Sequence, residues 1–303
     1  MKNFIKSILF FGLLFFIFDK LFLLFIAISP GKEIDKRLEL ILNGKMNKEI
    51  IVLGSSRGAR NIIASELEKE THYSAYNLSY PGSDIEFHEF IVRTLVKFNK
   101  PPKLLVLSID YPMAFLPDSI LNFRLDRLYP LVIYKHINDE LVARDKKNKV
   151  MSYLFALHRM NKSNFDIRQK KFSCLDTIFQ DGSMPISFQK IGENWDKTSV
   201  IQNYATSKEL KIKRDSLKKI IALCQQNKIK LVLVLPPLFD SMNEKFKESV
   251  IQLAGDKIAF FEYDHQNQIY KDKNYFYDRT HLNNKGAIIF TGELADYLKT
   301  IKF

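Results

Sequence analysis

Hydrophobic positions beyond about residue 49 follow two alternating patterns. Short runs that are apolar throughout predict strands at Ile50–Leu53, Ser74–Leu78, Lys103–Ile109, Lys230–Leu235 and Ile258–Phe261. Segments with helical spacing lie between and after them, at Asn61–Glu70, Ile85–Phe98, Ser207–Asn227, Asn243–Leu253 and Lys285–Leu298. Apolar strands that alternate with helices are typical of a parallel sheet covered on both faces. The pattern therefore predicts an α/β fold with about five parallel strands.

The N-terminus departs from this pattern, because residues 8–28 are apolar almost without interruption. Their length is close to the roughly 20 residues that cross a bilayer as a helix. Lys2 and Lys6 precede the run, which favours a cytoplasmic N-terminus and a body outside the cytoplasm. A cleaved signal peptide is the alternative, but the apolar run is long for one and Pro30 would follow the cut. We expect an uncleaved single-pass anchor at residues 1–29 and a stalk at residues 30–48.

Asp19 and Lys20 interrupt the apolar run. An ionised side chain in mid-membrane costs at least about 2.5 kcal/mol on insertion scales. Adjacent helical residues point about 100° apart, so the two charges are not an ideal pair. Two interpretations remain open: the charges contact another membrane protein, or Phe4–Phe18 is a separate, partly interfacial segment.

The segment from about residue 111 to residue 206 has no strand–helix rhythm and is rich in aromatic residues and lysines. We interpret it as an insertion, a lid or a substrate platform, within a domain at residues 49–303.

The net charge of +12 is compatible with nucleic acid, an anionic membrane surface or an anionic polymer as partner. The basic residues are scattered, with no run of five, which disfavours nucleic acid. Cys174 and Cys224 are the only cysteines and form no C-x-x-C motif. One disulfide and two separate thiols both remain open.

Polar motifs follow the predicted strands where ligands bind in open α/β sheets, beyond the carboxyl ends. They are GSSR (54–57), NLSYPG (77–82) and SIDYP (108–112), and DRTHLNNKGA (278–287) precedes the last helix. The spacing of Asp278 and His281 lets a carboxylate orient an imidazole, and that imidazole can reach a serine beyond the first strand. A base of this kind turns a serine hydroxyl into a nucleophile. The backbone N–H groups of Ser56 and Gly82 are candidate oxyanion donors.

Each of these residues also has a structural interpretation. Ser55 or Ser56 can cap a helix, Asp278 can be a cap or a surface acid, His281 can be structural, and Gly82 can serve a turn. Their order and their positions at strand ends and helix starts favour the catalytic interpretation.

Together these motifs resemble the SGNH (GDSL-type) hydrolase superfamily. The resemblance rests on G-x-S after the first strand, N-x-x-x-x-G after the second and D-x-x-H before the last helix, and covers residues 49–303 without the insertion. It implies a flavodoxin-like three-layer sandwich and a serine esterase or acyltransferase that needs no metal or cofactor. It also implies Ser56 as nucleophile, Asp278 and His281 as its partners, and Gly82 as an oxyanion residue.

One block departs from the family. The family's G-x-N-D supplies an asparagine donor, whereas here the strand ends in LSIDYP, with Asp110 near that position. An ionised Asp cannot donate a hydrogen bond. Arg57 and Asp110 are candidates for substrate contact, and an internal ion pair is the alternative for Arg57.

We therefore expect a membrane-anchored, extracytoplasmic (periplasmic or cell-surface) serine esterase or O-acyltransferase acting on an acylated cell-envelope glycan or conjugate. An integral membrane acyltransferase is a candidate partner. The alternative is a weak or inactive SGNH-like protein that binds glycan or scaffolds an envelope acylation complex. A nucleotide-binding protein is disfavoured, because GSSRGA matches neither G-x-G-x-x-G nor a P-loop.

Overall fold

The computed structural model describes residues 1–28, 35–109, 113–117, 120–161, 164, 174–195, 204–240, 243–255 and 258–303. The chain divides into two compact units. The N-terminal unit comprises residues 1–42 and 125–171, and the sheet unit comprises residues 43–124 and 172–303. The predicted insertion at about 111–206 therefore falls partly in each unit.

The N-terminal unit is helical in its described part. Its helices are α1 (Lys2–Ile28), α2 (Arg37–Leu42), α6 (Leu125–Leu128), α7 (Lys135–Ala143), α8 (Lys149–Leu154) and α9 (Ala156–Arg159), with a 3-10 turn at Tyr129–Leu131. Within α1, Lys2–Leu24 is long and apolar enough to cross a membrane, and most of its side chains are exposed. A signal sequence near the N-terminus shares this length and composition.

The sheet unit contains a five-stranded parallel sheet, as the sequence predicts. Its strands are β1 (Ile50–Leu53), β2 (Ala75–Asn77), β3 (Leu104–Ser108), β4 (Lys230–Leu235) and β5 (Ala259–Glu262), in the order β2-β1-β3-β4-β5. This is the strand order of flavodoxin-like folds. Ile51 lies beside Leu105, which lies beside Leu231, so the central register is apolar. Strands β1 and β3 are buried along their whole length.

Helices cover both faces of this sheet. They are α3 (Ser56–Asn61), α4 (Ala64–Thr71), α5 (Ile85–Phe98), α10 (Lys211–Gln226), α11 (Glu244–Ala254) and α12 (Asn284–Lys299). Helix α5 packs on α10, and α12 packs on α3 and α4. Right-handed crossovers place these two groups on opposite faces. The predicted three-layer α/β sandwich is thereby confirmed.

Two short elements were not predicted. Helix α4 corresponds to the helix expected at residues 61–70, whereas α3 lies almost entirely before that range and has no apolar periodicity. An antiparallel hairpin, β6 (Phe276–Asp278) and β7 (His281–Leu282), precedes α12. Further 3-10 turns lie at Cys174–Asp176, Thr206–Lys208, Gln268–Lys271 and Lys273–Tyr275.

Cys224 is a free thiol buried on α10. Burial raises the pKa of this thiol to about 12. The side chain of Cys174 lies outside the described residues.

Candidate active site

The structure brings Ser56, His281 and Asp278 together at the carboxyl end of β1. Ser56 is the first residue of α3, directly after the loop that leaves β1. Its Oγ lies 2.8 Å from Nε2 of His281. On the other side of the ring, His281 Nδ1 lies 2.9 Å from Oδ1 and 3.1 Å from Oδ2 of Asp278. A hydroxyl, an imidazole and a carboxylate thus form one hydrogen-bonded chain.

The β6–β7 hairpin holds the carboxylate in place. Oδ1 of Asp278 accepts hydrogen bonds from the backbone N–H and the hydroxyl of Thr280 and from the backbone N–H of His281, each at 2.9 Å. Burial alone would raise the pKa of Asp278. The hydrogen bond and charge of His281 and the donors of Thr280 outweigh burial and hold this pKa well below its usual range. Asp278 is therefore ionised at neutral pH.

An ionised Asp278 accepts hydrogen bonds only, which determines the tautomer of His281. Nδ1 carries the ring proton and donates a hydrogen bond to the carboxylate. Nε2 is then the acceptor for the Ser56 hydroxyl. This arrangement lets His281 remove the proton of Ser56 and lets Asp278 stabilise the resulting imidazolium.

The hydroxyls of the two adjacent serines do not cap α3. Ser55 occupies the N-cap position but makes no side-chain capping bond, and its Oγ is buried without a partner among the described residues. Ser56 already lies inside the helix and directs its hydroxyl to His281. Helix capping, one of the two alternatives for this motif, is therefore wrong for both serine hydroxyls.

Two glycines let neighbouring strands approach this loop closely. A Cβ at Gly54 would lie 2.8 Å from Cβ of Ser108 at the end of β3. A Cβ at Gly58 would lie 2.7 Å from Oγ of Ser79 beyond β2. Side chains at either position would push the three strand ends apart, so the glycines flanking the serines are part of the site's construction.

Asn61, which the sequence did not single out, connects α3 to the strand of His281. Its Oδ1 accepts a 3.0 Å hydrogen bond from the backbone N–H of Leu282, the residue after His281. Asn61 is fully buried. One short helix therefore carries Ser56 at its first position and, at its last, the acceptor that fixes the histidine's strand. The two residues lie five positions apart, and no local sequence pattern indicates this role.

The two arginines of α3 have different environments. Arg57 is 4% exposed and donates a hydrogen bond to the carbonyl of Pro236, beyond β4. This favours the structural alternative for Arg57 over contact with substrate. Arg60 lies one turn after Ser56, so both face the same side of α3. Burial lowers the pKa of Arg60, while the negative charges of Asp176 and Asp278 raise it.

The other predicted site residues are less closely tied to Ser56. Gly82 lies in the loop after β2 with a φ of 75°, and its carbonyl accepts a hydrogen bond from the N–H of Asn122. The same loop reaches Gly54, whose carbonyl accepts from the N–H of Tyr80. The Gly82 N–H as an oxyanion donor stays a prediction. Asp110 lies outside the described residues.

A second serine–histidine pair lies in the core of the sheet unit. Oγ of Ser83 is 2.8 Å from Nε2 of His88, on α5. His88 is 3% exposed and therefore belongs to the core. Burial lowers the pKa of His88 to about 3.

A cavity of about 1020 Å³ lies elsewhere in the sheet unit, at edge strand β2. Its lining includes Glu68, Tyr76, Phe179 and Asp181, and contains none of Ser56, Asp278 and His281. Among the described residues, no group of three or more His, Cys, Asp and Glu side chains is arranged to hold a metal ion. The expectation that the protein needs no metal or cofactor stays a prediction.

In comparisons with known proteins, neither the family models nor the curated sequences gave a match to this chain. The functional argument therefore rests on the geometry of the site.

Proposed function

We propose that this protein is a membrane-anchored serine esterase or O-acyltransferase that forms an acyl-enzyme on Ser56. The observation that carries the proposal is the hydrogen-bonded chain Ser56–His281–Asp278 at the carboxyl edge of the sheet. This edge is where open α/β folds bind their ligands. The order of the strands and the resemblance to SGNH hydrolases support the same proposal.

The proposed reaction begins when Oγ of Ser56 attacks an ester carbonyl and passes its proton to Nε2 of His281. Asp278 stabilises the imidazolium, and the backbone N–H groups of Ser56 and Gly82 donate to the developing oxyanion. The C–O bond to the leaving alcohol then breaks, and the alcohol takes the proton from His281. Water or a sugar hydroxyl, deprotonated by His281, next attacks the acyl-enzyme. The bond from the acyl carbon to Oγ of Ser56 then breaks, and Oγ takes the proton back from His281. The same residues serve hydrolysis and transfer.

The substrate we propose is an acylated glycan or similar conjugate of the cell envelope. The apolar helix α1 supports this, because an anchor with Lys2 and Lys6 on the cytoplasmic side places the remaining chain outside the cytoplasm. Contacts of α1 favour a retained anchor over a cleaved signal: its Asp19 accepts hydrogen bonds from the backbone N–H groups of Ala156 and Leu157. Asp19 and Lys20 therefore need no second membrane protein as partner.

The test uses the full chain in detergent, with p-nitrophenyl acetate as substrate and a fluorophosphonate probe that labels activated serines. We expect the parent protein to be labelled and active, and Ser56→Ala to lose both properties. Loss of the nucleophile should lower the turnover rate by at least about 10³-fold.

The matched control is Ser83→Ala, which removes the serine of the second serine–histidine pair. We expect this variant to keep its labelling and its turnover. A folded parent protein that resists the probe, or a Ser56→Ala variant labelled like the parent, would contradict the proposed function. Circular dichroism of each variant establishes that it is folded.

A further inference from the structure

Asp19 and Lys20, the charged residues of α1, form hydrogen bonds within the N-terminal unit. Oδ2 and Oδ1 of Asp19 accept hydrogen bonds from the backbone N–H groups of Ala156 and Leu157, at 2.7 and 2.9 Å. Nζ of Lys20 donates to the carbonyl of Leu154 and lies 3.3 Å from Oδ2 of Asp19. The Asp19 side chain is fully buried by these contacts.

These bonds satisfy the polar groups of one particular chain break. Helix α8 ends at Leu154 and α9 begins at Ala156, so the break leaves carbonyl groups on one side and N–H groups on the other. Asp19 accepts from the N–H groups and Lys20 donates to a carbonyl. In water such groups need no protein partner, but in hydrocarbon every one of them does. The contacts therefore meet the requirement that lipid would impose on this helix break.

The position of Asp19 along α1 sets the depth of this break. With a rise of 1.5 Å per residue, Asp19 lies about 20 Å along the helix from Lys6. The hydrocarbon core is about 30 Å thick. If Lys6 lies at the cytoplasmic boundary, Asp19 lies about 10 Å below the opposite boundary. Residues bonded to Asp19 must lie at the same depth.

The surface of α8 and α9 fits such a location. Val150, Leu154 and Leu157 are 63%, 50% and 37% exposed, although all three are large and apolar. The ring of Phe155 lies 6.0 Å from that of Phe15 on α1, so the apolar surface continues from α1 onto this segment. Lys149 precedes the segment, and Arg159 at its end donates to the carbonyls of Ser152 and Tyr153, which gives two further carbonyl groups of the break a partner.

We infer that Lys149–Arg159 is a second membrane-embedded element, a re-entrant pair of short helices in the leaflet opposite the N-terminus, in contact with lipid acyl chains. This inference rests on the part of the proposed function that makes α1 a membrane anchor.

The experiment measures depth in the full chain reconstituted into vesicles of equal parts phosphatidylcholine and phosphatidylglycerol. In a background of Cys174→Ser and Cys224→Ala, single cysteines carry the environment-sensitive fluorophore NBD. Leu154→Cys reports the proposed element, Phe11→Cys reports α1, and Ile212→Cys reports an exposed position of the sheet unit. Iodide quenches probes in water, and nitroxide-labelled lipids quench probes in the bilayer.

We expect the probe at residue 154 to resemble the probe at residue 11, with blue-shifted emission, quenching by nitroxide lipids and several-fold less iodide quenching than the probe at residue 212. A probe at 154 that is open to iodide while the probe at 11 is protected would overturn the inference and leave the anchor intact. Iodide access at both positions would instead overturn the anchor, and with it this inference.

Asp19→Asn tests the hydrogen bonds that hold Ala156 and Leu157 at the depth of Asp19. The N–H groups of Ala156 and Leu157 bond to different oxygens of Asp19, and an amide replaces one of these oxygens with an NH2 donor, so one of the two N–H groups then faces a donor. We expect the probe at residue 154 to gain iodide access and the probe at residue 11 to keep its protection. Asp145→Asn, at an exposed site of the same unit, is the matched control and should change neither. An unchanged probe at 154 in Asp19→Asn would count against the inference.

Discussion

The two serine–histidine pairs of the sheet unit have the same serine–histidine distance but different surroundings. In each, a serine Oγ lies 2.8 Å from a histidine Nε2. The difference lies on the far side of each ring. Nδ1 of His281 donates to the carboxylate of Asp278, whereas Nδ1 of His88 is buried with no partner among the described residues.

The serine hydroxyls also point to different acceptors. Ser83 donates its proton to the carbonyl of Tyr80, at 2.6 Å. His88 must then donate from Nε2 to Ser83, so its ring cannot act as a base toward that hydroxyl. Ser56 has His281 as its acceptor. The comparison teaches that the group bonded to the far ring nitrogen decides which way the serine–histidine hydrogen bond points, and this direction separates the proposed nucleophile Ser56 from Ser83 in the core.

The largest expected effect comes from Asp278→Asn, which removes the carboxylate acceptor on the far ring nitrogen of His281. The amide donates toward Nδ1 of His281, which moves the ring proton to Nε2 and makes the first pair resemble the second. We expect kcat/KM for p-nitrophenyl acetate to fall about 10³- to 10⁴-fold with the fold retained.

The matched control is Asp84→Asn. Asp84 caps α5 by accepting from the N–H of Phe87, next to the second pair. Asn caps helices equally well, so activity should stay at the parent level. Equal losses in the two variants would show that the effect is structural rather than catalytic.

The sequence predicted much of this, for reasons that can be stated residue by residue. Apolar runs and helical spacing mark the five strands and α5 because burial imposes those periods. Asp278 and His281 were found because their contact is local. The acceptor role of Asn61 toward Leu282 spans 221 positions, and that of Asp19 toward Ala156 spans 137, so neither leaves a pattern in the sequence. The β6–β7 hairpin was missed because strands of three and two residues are too short to show alternation.

The second-largest expected effect concerns the stability of the fold and depends on the buried Ser83–His88 pair. The pKa of His88 is lowered to about 3 in the fold, whereas an unfolded histidine has a pKa of about 6.5. Below about pH 6.5 the unfolded chain therefore binds a proton that the fold rejects. The free energy of unfolding should fall by up to about 4 kcal/mol as the pH drops from 6.5 to 3. His88→Gln keeps a donor for Ser83 and should remove this part of the pH dependence.

Chemical denaturation at a series of pH values measures this effect. The matched control is His72→Gln, which removes an exposed histidine of the same unit and should leave the parent profile unchanged. Parallel profiles for His88→Gln and the parent protein would contradict a buried, neutral His88.

A smaller effect is expected from Asn61→Ala, which loosens the Ser56–His281 pair without changing Ser56, His281 or Asp278. The variant leaves the buried N–H of Leu282 without its acceptor, which costs about 1–3 kcal/mol of stability. Because His281 directly precedes Leu282, we also expect kcat/KM to fall by roughly 10-fold.

Thr291→Val is the matched control for Asn61→Ala. Oγ1 of Thr291 accepts from the buried N–H of Ile63, just after α3, at 3.0 Å. The same hydroxyl donates to the backbone carbonyl of Asn61 at 3.5 Å. This bond leaves the side chain of Asn61 on Leu282, so the loss of the hydroxyl should destabilise the protein to a similar extent without removing the bond to the strand of His281. If the two variants lose the same activity, Asn61 supports the fold and does not position His281.

The smallest expected effect is that of Ser55→Ala, which adds a third serine hydroxyl to the comparison of Ser56 and Ser83. Ser55 precedes the proposed nucleophile, yet its Oγ is buried and has no partner among the described residues. Removing an unpaired buried hydroxyl is close to neutral or stabilising. We expect the free energy of unfolding to change by less than about 1 kcal/mol and probe labelling to stay at the parent level. Loss of labelling in Ser55→Ala would mean that the hydroxyl next to Ser56 takes part in the chemistry, and that contact with a histidine is not what selects the reactive serine.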